Sequence, residues 1–163
     1  MTISVGDTMP AENLKYTDEQ GIKDVNMQQY LKDKKVVLFS VPGAFTPTCS
    51  AKHLPGFVEN YKDLLDLGVD EIICIAVNDA FVMKAWEKDQ NAKGKVTLLS
   101  DGNGDYSSAL GLSFDGSKFG LGTRSQRFAM IIDNCVVTHL AIEEAGDFKV
   151  SSVESILEIL KNN

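Results

Sequence analysis

Long hydrophobic runs are absent from this chain, and no segment approaches the roughly 18 apolar residues of a membrane-spanning helix. The first residues have neither the positive charge nor the apolar stretch of a targeting signal. Positive charge is also in deficit, since the formal net charge is −7. That balance disfavours nucleic-acid backbones and anionic membrane surfaces. We therefore expect no nucleic-acid partner and no membrane partner.

Cysteine and arginine are both scarce. The three cysteines, Cys49, Cys74 and Cys135, are odd in number, which fits free thiols in a reducing compartment better than a disulfide framework. We therefore expect a cytoplasmic protein. The only two arginines, Arg124 and Arg127, stand together before an apolar segment, and lysine supplies the other basic side chains. This pair is a candidate functional cluster because a guanidinium can bind an anion through two forked donors.

Bulk composition is that of an ordinary globular domain. The chain has 163 residues, of which 44% are hydrophobic and 24% are charged. This length is sufficient for one domain with a real core, and no repeat, low-complexity tract or linker divides it. We therefore predict a single domain over residues 1–163.

Apolar patterns alternate between strands and helices. The nearly continuous apolar segments 36–41 and 72–77 are typical of strands buried on both faces, as in a parallel sheet. Between them, apolar residues recur at three- and four-residue steps over residues 48–67, which predicts a helix that ends before Gly68. A strand, a helix and a strand in this order form a right-handed crossover.

The remaining elements complete an α/β arrangement. The patterns predict an early hairpin at residues 14–23, helices capped by Asn26, Asp79 and Ser151 or Ser152, a third strand at 96–99, a short helix at 106–110, a glycine-rich loop at 111–122, and a hairpin of strands 128–132 and 136–140. A crossover followed by a hairpin and a final helix is the thioredoxin-like fold, an α/β fold whose central mixed sheet is flanked by helices.

Cys49 stands where the first buried strand gives way to a helix. The connecting segment is Pro42-Gly43-Ala44-Phe45-Thr46-Pro47-Thr48. Ligand chemistry in open α/β sheets is found at such strand ends. A cysteine in the first turn of a helix faces unpaired N–H groups and a partial positive charge, and both favour the thiolate. A free thiol is only about 3% ionised at pH 7, so this position indicates a nucleophile.

Two other residues of this segment have properties that suit the same chemistry. Pro42 lacks a backbone donor and stiffens the turn, which helps to form a rigid, partly apolar pocket. Thr46 lies three residues before Cys49, and its hydroxyl can accept a proton from one group while it donates to the thiolate. From spacing alone, Thr46 is as well explained as a turn residue, and Arg127 as a surface ion-pair partner.

The segment from Pro42 to Ser50, followed by His53-Leu54-Pro55-Gly56-Phe57, resembles the active-site stretch of peroxiredoxins, specifically the peroxiredoxin 5 (type II) subfamily. Two further stretches, Val77-Asn78-Asp79-Ala80-Phe81-Val82-Met83 and Arg124-Ser125-Gln126-Arg127-Phe128-Ala129-Met130, resemble that subfamily too. The resemblance spans nearly the whole chain.

The resemblance implies a thiol-dependent peroxidase of thioredoxin-like fold. Cys49 would be the peroxidatic cysteine, Thr46 and Arg127 would activate the peroxide, and Pro42 would shield the pocket. The substrates would be hydrogen peroxide and alkyl hydroperoxides. The family uses no metal and no haem, so we expect no cofactor other than an external thiol reductant. Type II members commonly form dimers, and we expect a homodimer.

Several alternatives compete with this interpretation. His53 follows Cys49 by one helical turn, so a Cys–His pair, as in a cysteine hydrolase, is conceivable. A thiol–disulfide oxidoreductase would need a second cysteine at position 46, where this chain has threonine. A redox relay or holdase without significant turnover is the alternative from another functional class. Cys74 fits a buried core residue, and Cys135 fits an incidental thiol in a turn.

Regeneration of Cys49 is expected to need an outside thiol. Some members of the family carry a resolving cysteine near the last helix, where this chain has Val150-Ser151-Ser152-Val153. Cys135 would lie roughly 26 Å from the site and Cys74 roughly 10 Å below it. A disulfide needs Cα atoms within about 7 Å. We therefore expect a one-cysteine cycle, with glutathione and glutaredoxin as the first choice of reductant and thioredoxin as the second.

Overall fold

The computed structural model describes residues 1–162, and Asn163, the last residue of the predicted domain, lies outside this range. The strands of the described residues are β1 (Asn13–Asp18), β2 (Gly21–Asn26), β3 (Lys35–Val41), β4 (Glu71–Ala76), β5 (Thr97–Ser100), β6 (Ser113–Asp115), β7 (Thr123–Ser125), β8 (Phe128–Asp133) and β9 (Val136–Ile142). The helices are α1 (Met27–Leu31), α2 (Leu54–Glu59), α3 (Tyr61–Asp66), α4 (Ala80–Asp89), α5 (Asp105–Leu110) and α6 (Val153–Lys161), with a π-helical turn at Cys49–His53 and a 3₁₀ turn at Ser117–Phe119. Within this range, none of the helices has both the length and the hydropathy that crossing a bilayer requires.

The main sheet is mixed, with strand order β2-β1-β5-β4-β3-β8-β9. Strands β3, β4 and β5 run parallel, which confirms the crossover predicted from the two buried apolar segments. Strand β8 runs antiparallel to β3, so Phe128 at its start pairs with Ser40 near the end of β3. This register brings the segment that carries Arg127 beside the loop that leads to Cys49.

Apolar side chains cover both faces of the sheet. One cluster contains Phe39, Cys49 and Cys74, and helices α2, α3, α4 and α6 pack over it. The other lies on the opposite face beneath α1 and α5. Successive residues of β3, such as Val37 and Leu38, enter opposite clusters, which explains why this strand is apolar over most of its length. The thioredoxin-like fold with flanking helices is thus confirmed.

The predicted helix over residues 48–67 is not continuous. It begins at Pro47, passes through the π-helical turn and is interrupted again at Asn60. Pro55 has no N–H to donate to the preceding turn, and the amide of Leu54 instead bonds the carbonyl of Cys49 five residues back. At Asn60, the side-chain amide donates to the Gly56 carbonyl at 2.8 Å and competes with the backbone ladder.

The segment 111–122, predicted as a glycine-rich loop, contains a short strand and a 3₁₀ turn. Strand β6 begins within it and pairs with β7, so that Phe114 lies opposite Arg124. The 3₁₀ turn at Ser117–Phe119 joins the two strands. This hairpin lies beside the loop that precedes Cys49.

Candidate active site

The loop before Cys49 is held in shape by short-range hydrogen bonds. The Ala44 amide donates to the side chain of Asn78 at 2.9 Å, and the Thr46 hydroxyl donates to the Gly43 carbonyl at 2.7 Å. The Thr46 carbonyl then accepts the amide of Ser50, which is the first helical bond. These contacts place Cys49 in the first turn of the helix, as predicted from the sequence.

The close packing around position 43 explains why this residue is a glycine. A Cβ at this position would lie 2.9 Å from Nη1 of Arg124 and 3.2 Å from the Thr46 side chain. Without it, Arg124 reaches across the loop and donates to the Pro42 carbonyl at 3.3 Å and to the Leu121 carbonyl at 2.9 Å. Arg124 is half-buried, and through these two bonds it ties this loop to the hairpin β6–β7.

Arg127 contacts the sulfur directly. Its Nη2 donates to Sγ of Cys49 at 3.1 Å, and Cys49 is fully buried. A charged donor at this distance suits a thiolate better than a neutral thiol. Because burial removes water, the guanidinium is well placed to interact with negative charge that develops on the sulfur.

His53 is engaged on both ring nitrogens. Nη1 of Arg127 lies 2.8 Å from Nδ1 of His53, and Nε2 of His53 lies 2.9 Å from the carbonyl oxygen of Ser151. Arginine has no acceptor, so Nδ1 accepts and Nε2 donates. Burial, together with the charge of Arg127, lowers the pKa of His53 to about 3. The imidazole is therefore neutral, and its one lone pair faces Arg127, which does not favour the Cys–His pair considered above.

Glu143 organises the segment that holds His53. Its carboxylate accepts the amides of Lys149, Val150 and Ser151 and the hydroxyl of Ser151, at 2.7–2.9 Å. Burial alone would raise the pKa of Glu143, but these hydrogen bonds hold it below its usual value. The sequence did not point to Glu143, and it marked Ser151 only as a candidate helix cap, a position that Ser152 occupies. The separation of eight residues across a loop gives no periodic signal that would have marked them.

A cavity of about 500 Å³ lies beside this cluster. Its lining includes Pro42 and Thr48 from the loop and helix start, Phe114 and Phe119 from the hairpin, and Arg127. Residues 143–147 form the remaining wall. Arg127 therefore faces both the cavity and the buried sulfur, and an entering molecule would meet the guanidinium next to Cys49.

Comparisons with known proteins agree with this geometry. The Redoxin family model matches residues 4–157. Peroxiredoxin-2D of Arabidopsis thaliana is 47% identical over 159 residues, which cover 97% of this chain and 98% of the relative. The chain belongs to the Redoxin family and is a type II-like peroxiredoxin. Peroxiredoxins are thiol peroxidases, so this chain belongs to a family of enzymes.

Solved structures of other peroxiredoxins are similar in fold. The crystal structure of reduced Prx3 from Vibrio vulnificus in complex with H₂O₂ superposes with a TM-score of 0.94 at 48% identity, covering 98% of this chain and 97% of that chain. The Plasmodium falciparum antioxidant protein, described as a 1-Cys peroxiredoxin, superposes with a TM-score of 0.92 at 31% identity, covering 99% and 100%.

The other two cysteines of this peroxiredoxin lie in different places. Cys74 is fully buried in β4 between Phe39 of β3 and Leu98 of β5, in the same apolar cluster as Cys49. Burial raises the pKa of Cys74 well above its usual value, and charge on Cys49 acts in the same direction. Cys135 is half-buried in the turn between β8 and β9 and packs against the cluster on the opposite face of the sheet.

Proposed function

We propose that this peroxiredoxin reduces hydrogen peroxide and alkyl hydroperoxides through the Cys49 thiolate. The sulfur attacks one peroxide oxygen, an S–O bond forms and the O–O bond breaks. The sulfur is oxidised to the sulfenate, and the other oxygen leaves with a proton as water or an alcohol. Each peroxide thus takes two electrons from one sulfur, and no metal, haem or other cofactor enters the scheme.

The contact between Arg127 and Cys49 carries this proposal. In the transition state, negative charge spreads from sulfur to the departing oxygen, and the forked guanidinium has donors for both. The Thr46 hydroxyl donates to the Gly43 carbonyl, so its oxygen is available to accept a hydrogen bond from the O–H of the peroxide, and its hydrogen is not available to the thiolate. Pro42 forms part of the cavity wall and offers no N–H there.

Two relatives support the choice of substrate and cycle. The similar Vibrio vulnificus Prx3 is described in complex with H₂O₂, which matches the proposed substrate. The Plasmodium falciparum relative is described as a 1-Cys peroxiredoxin, which is the cycle proposed for this chain. A cytoplasmic location remains a prediction from the sequence.

The positions of the three cysteines favour a one-cysteine cycle. Cys135 and Cys49 belong to opposite faces of the sheet, so the sheet itself separates them. Cys74 is fully buried in a central strand that is paired on both sides, and burial raises the pKa of its thiol, so it offers little thiolate to attack the sulfenic acid. We therefore propose that an external thiol attacks the sulfenic acid of Cys49 and is removed by a second thiol.

Glutathione with glutaredoxin is the reductant we propose first, and thioredoxin the second. The test is peroxide consumption in the presence of each system at equal thiol concentration. Sustained turnover with glutathione and glutaredoxin is expected. Turnover with thioredoxin alone would reverse the order, and stoichiometric consumption with every reductant would favour the redox relay or holdase instead.

We also propose a homodimer formed through the loops near the site. The side chains of Phe45, Phe81 and Phe119 are 52%, 62% and 73% exposed, which is a large amount of uncovered aromatic surface, and Phe119 also lines the cavity. A second copy of the chain would cover it. Sedimentation of the reduced protein at micromolar concentration is expected to show a dimer, and Phe81→Asp to shift it toward monomer. A wild-type protein that sediments only as a monomer would contradict this proposal.

A further inference from the structure

The side chain of Arg127 makes two hydrogen bonds within this cluster, and only one of them is to Cys49. The other runs from Nη1 to Nδ1 of His53. A guanidinium is planar, so fixing two of its nitrogens fixes the plane of the whole group. The orientation of Arg127 toward the sulfur therefore depends on an acceptor at position 53.

His53 can serve as that acceptor only in one tautomer. Nδ1 must be free of hydrogen, and the proton must lie on Nε2. The Ser151 carbonyl, 2.9 Å from Nε2, accepts a hydrogen bond from Nε2–H and so selects this tautomer. The ring is also held between the aromatic rings of Phe39 and Phe148, whose centroids lie 4.7 and 4.9 Å from that of the imidazole.

The Ser151 carbonyl is in turn placed by Glu143. The carboxylate accepts hydrogen bonds from the amides of residues 149–151, so its position fixes that of the backbone just before α6. Glu143 and Arg127 both line the cavity, so the first and last residues of this series of contacts lie at the same site. Glu143 contacts neither Arg127 nor Cys49 in the described hydrogen bonds.

We infer that Glu143, Ser151 and neutral His53 form a positioning chain that aims the Arg127 guanidinium at the reacting sulfur and oxygen. This inference rests on the proposed function of Arg127. His53 is then a positioning residue, not a base, and its contribution passes entirely through Arg127. A misplacement of about 1 Å in such a group can slow a reaction about 100-fold.

Two substitutions at position 53 separate hydrogen bonding from packing. His53→Phe keeps an aromatic ring among Phe39, Phe57 and Phe148 but removes both hydrogen bonds. His53→Gln can accept from Arg127 through its oxygen and donate to Ser151 through its nitrogen. The readouts are the rate constant for oxidation of Cys49 by hydrogen peroxide in stopped flow and the rate of its alkylation by iodoacetamide.

We expect His53→Phe to slow oxidation about 10- to 100-fold and alkylation much less, because iodoacetamide has no O–O bond for Arg127 to polarise. His53→Gln should recover most of the loss. In an Arg127→Gln background, His53→Phe should slow oxidation by less than about twofold, since residues that act as a unit are not additive. An equal loss in both backgrounds, or no loss in either, would overturn the inference.

Glu143→Gln provides a second test if His53→Phe does not fold, as judged by circular dichroism. The amide nitrogen of the glutamine introduced at position 143 would face N–H donors, so the segment at 149–151 should shift. Oxidation of Cys49 should then slow, again only while Arg127 is present. Glu154→Gln, an exposed residue in the first turn of α6, is the matched control. If Glu143→Gln also slowed oxidation in the Arg127→Gln background, that result would contradict the proposed positioning chain. An Arg127→Gln variant with wild-type rates would instead reject the proposed role of Arg127 in peroxide attack, on which the inference rests.

Discussion

Cys49 and Cys74 are both fully buried and belong to the same apolar cluster, yet their neighbours differ. Cys49 lies in the first turn of a helix and accepts a hydrogen bond from Arg127. Cys74 lies within a central strand, and burial raises its pKa well above the usual value. Burial by itself keeps a thiol protonated. The comparison therefore supports our proposal that a charged donor, rather than exposure, is what would make a buried cysteine a nucleophile.

The largest expected effect comes from removing one sulfur and keeping the other. Cys49→Ser should abolish peroxide reduction, because serine is not ionised near neutral pH and has no sulfur to oxidise. Cys74→Ser should leave single-turnover oxidation largely intact. Stopped-flow measurements with hydrogen peroxide and an alkyl hydroperoxide compare the two. Substantial peroxide reduction by the Cys49→Ser variant would contradict the distinction between Cys49 and Cys74.

Removing the charged donor should have the next largest effect. Arg127→Gln should slow peroxide attack about 100-fold, as loss of one donor to a developing anion does in other enzymes. The rate is corrected for the thiolate fraction measured by titration of the same variant. Arg124→Gln is the matched control, since Arg124 donates to the carbonyls of Pro42 and Leu121 and not to sulfur. An unchanged corrected rate would reduce Arg127 to a structural role.

A smaller effect is expected on stability in mild acid. The pKa of His53 is about 3 in the folded protein, below its ordinary value of 6.5. The unfolded state therefore binds the proton first, and stability falls as pH drops from 6.5 toward 3. Between pH 7 and pH 5, the free energy of unfolding should fall by about 2 kcal/mol through this group. Urea unfolding of the wild type and His53→Phe tests this: relative to the variant, the wild type should lose that amount of stability. A difference between the two that does not change with pH would show that folding leaves the pKa of His53 unshifted.

The sequence was sufficient to predict the elements around Cys49. A strand whose side chains enter both apolar clusters has a nearly continuous hydrophobic sequence. The proline-rich loop that follows it marks the start of the helix. These inferences depend on local patterns and on the few ways in which strands can be connected. The proximity of Arg127 to Cys49 did not follow from such patterns; the family resemblance implied it, and the pairing of β8 with β3 brings the two side chains together.

The supporting contacts could not be predicted in the same way. The bond from His53 to Ser151 spans 98 residues, and the role of Glu143 depends on three amides of an irregular segment. Such backbone contacts are set by tertiary packing and not by residue type, so His53 was weighed as a base instead. The π-helical turn was missed for a related reason, since the apolar spacing of residues 48–67 is compatible with an unbroken helix.

Intact-mass analysis after one equivalent of peroxide, with and without glutathione, tests the central distinction between Cys49 and its neighbours most directly. Peptide mapping then locates the modification. We predict one added oxygen on Cys49 when peroxide is added alone, further oxidation of the same sulfur in excess peroxide, and a glutathione adduct on Cys49 when glutathione is present. A stable Cys49–Cys74 or Cys49–Cys135 disulfide in the folded protein would contradict the one-cysteine account.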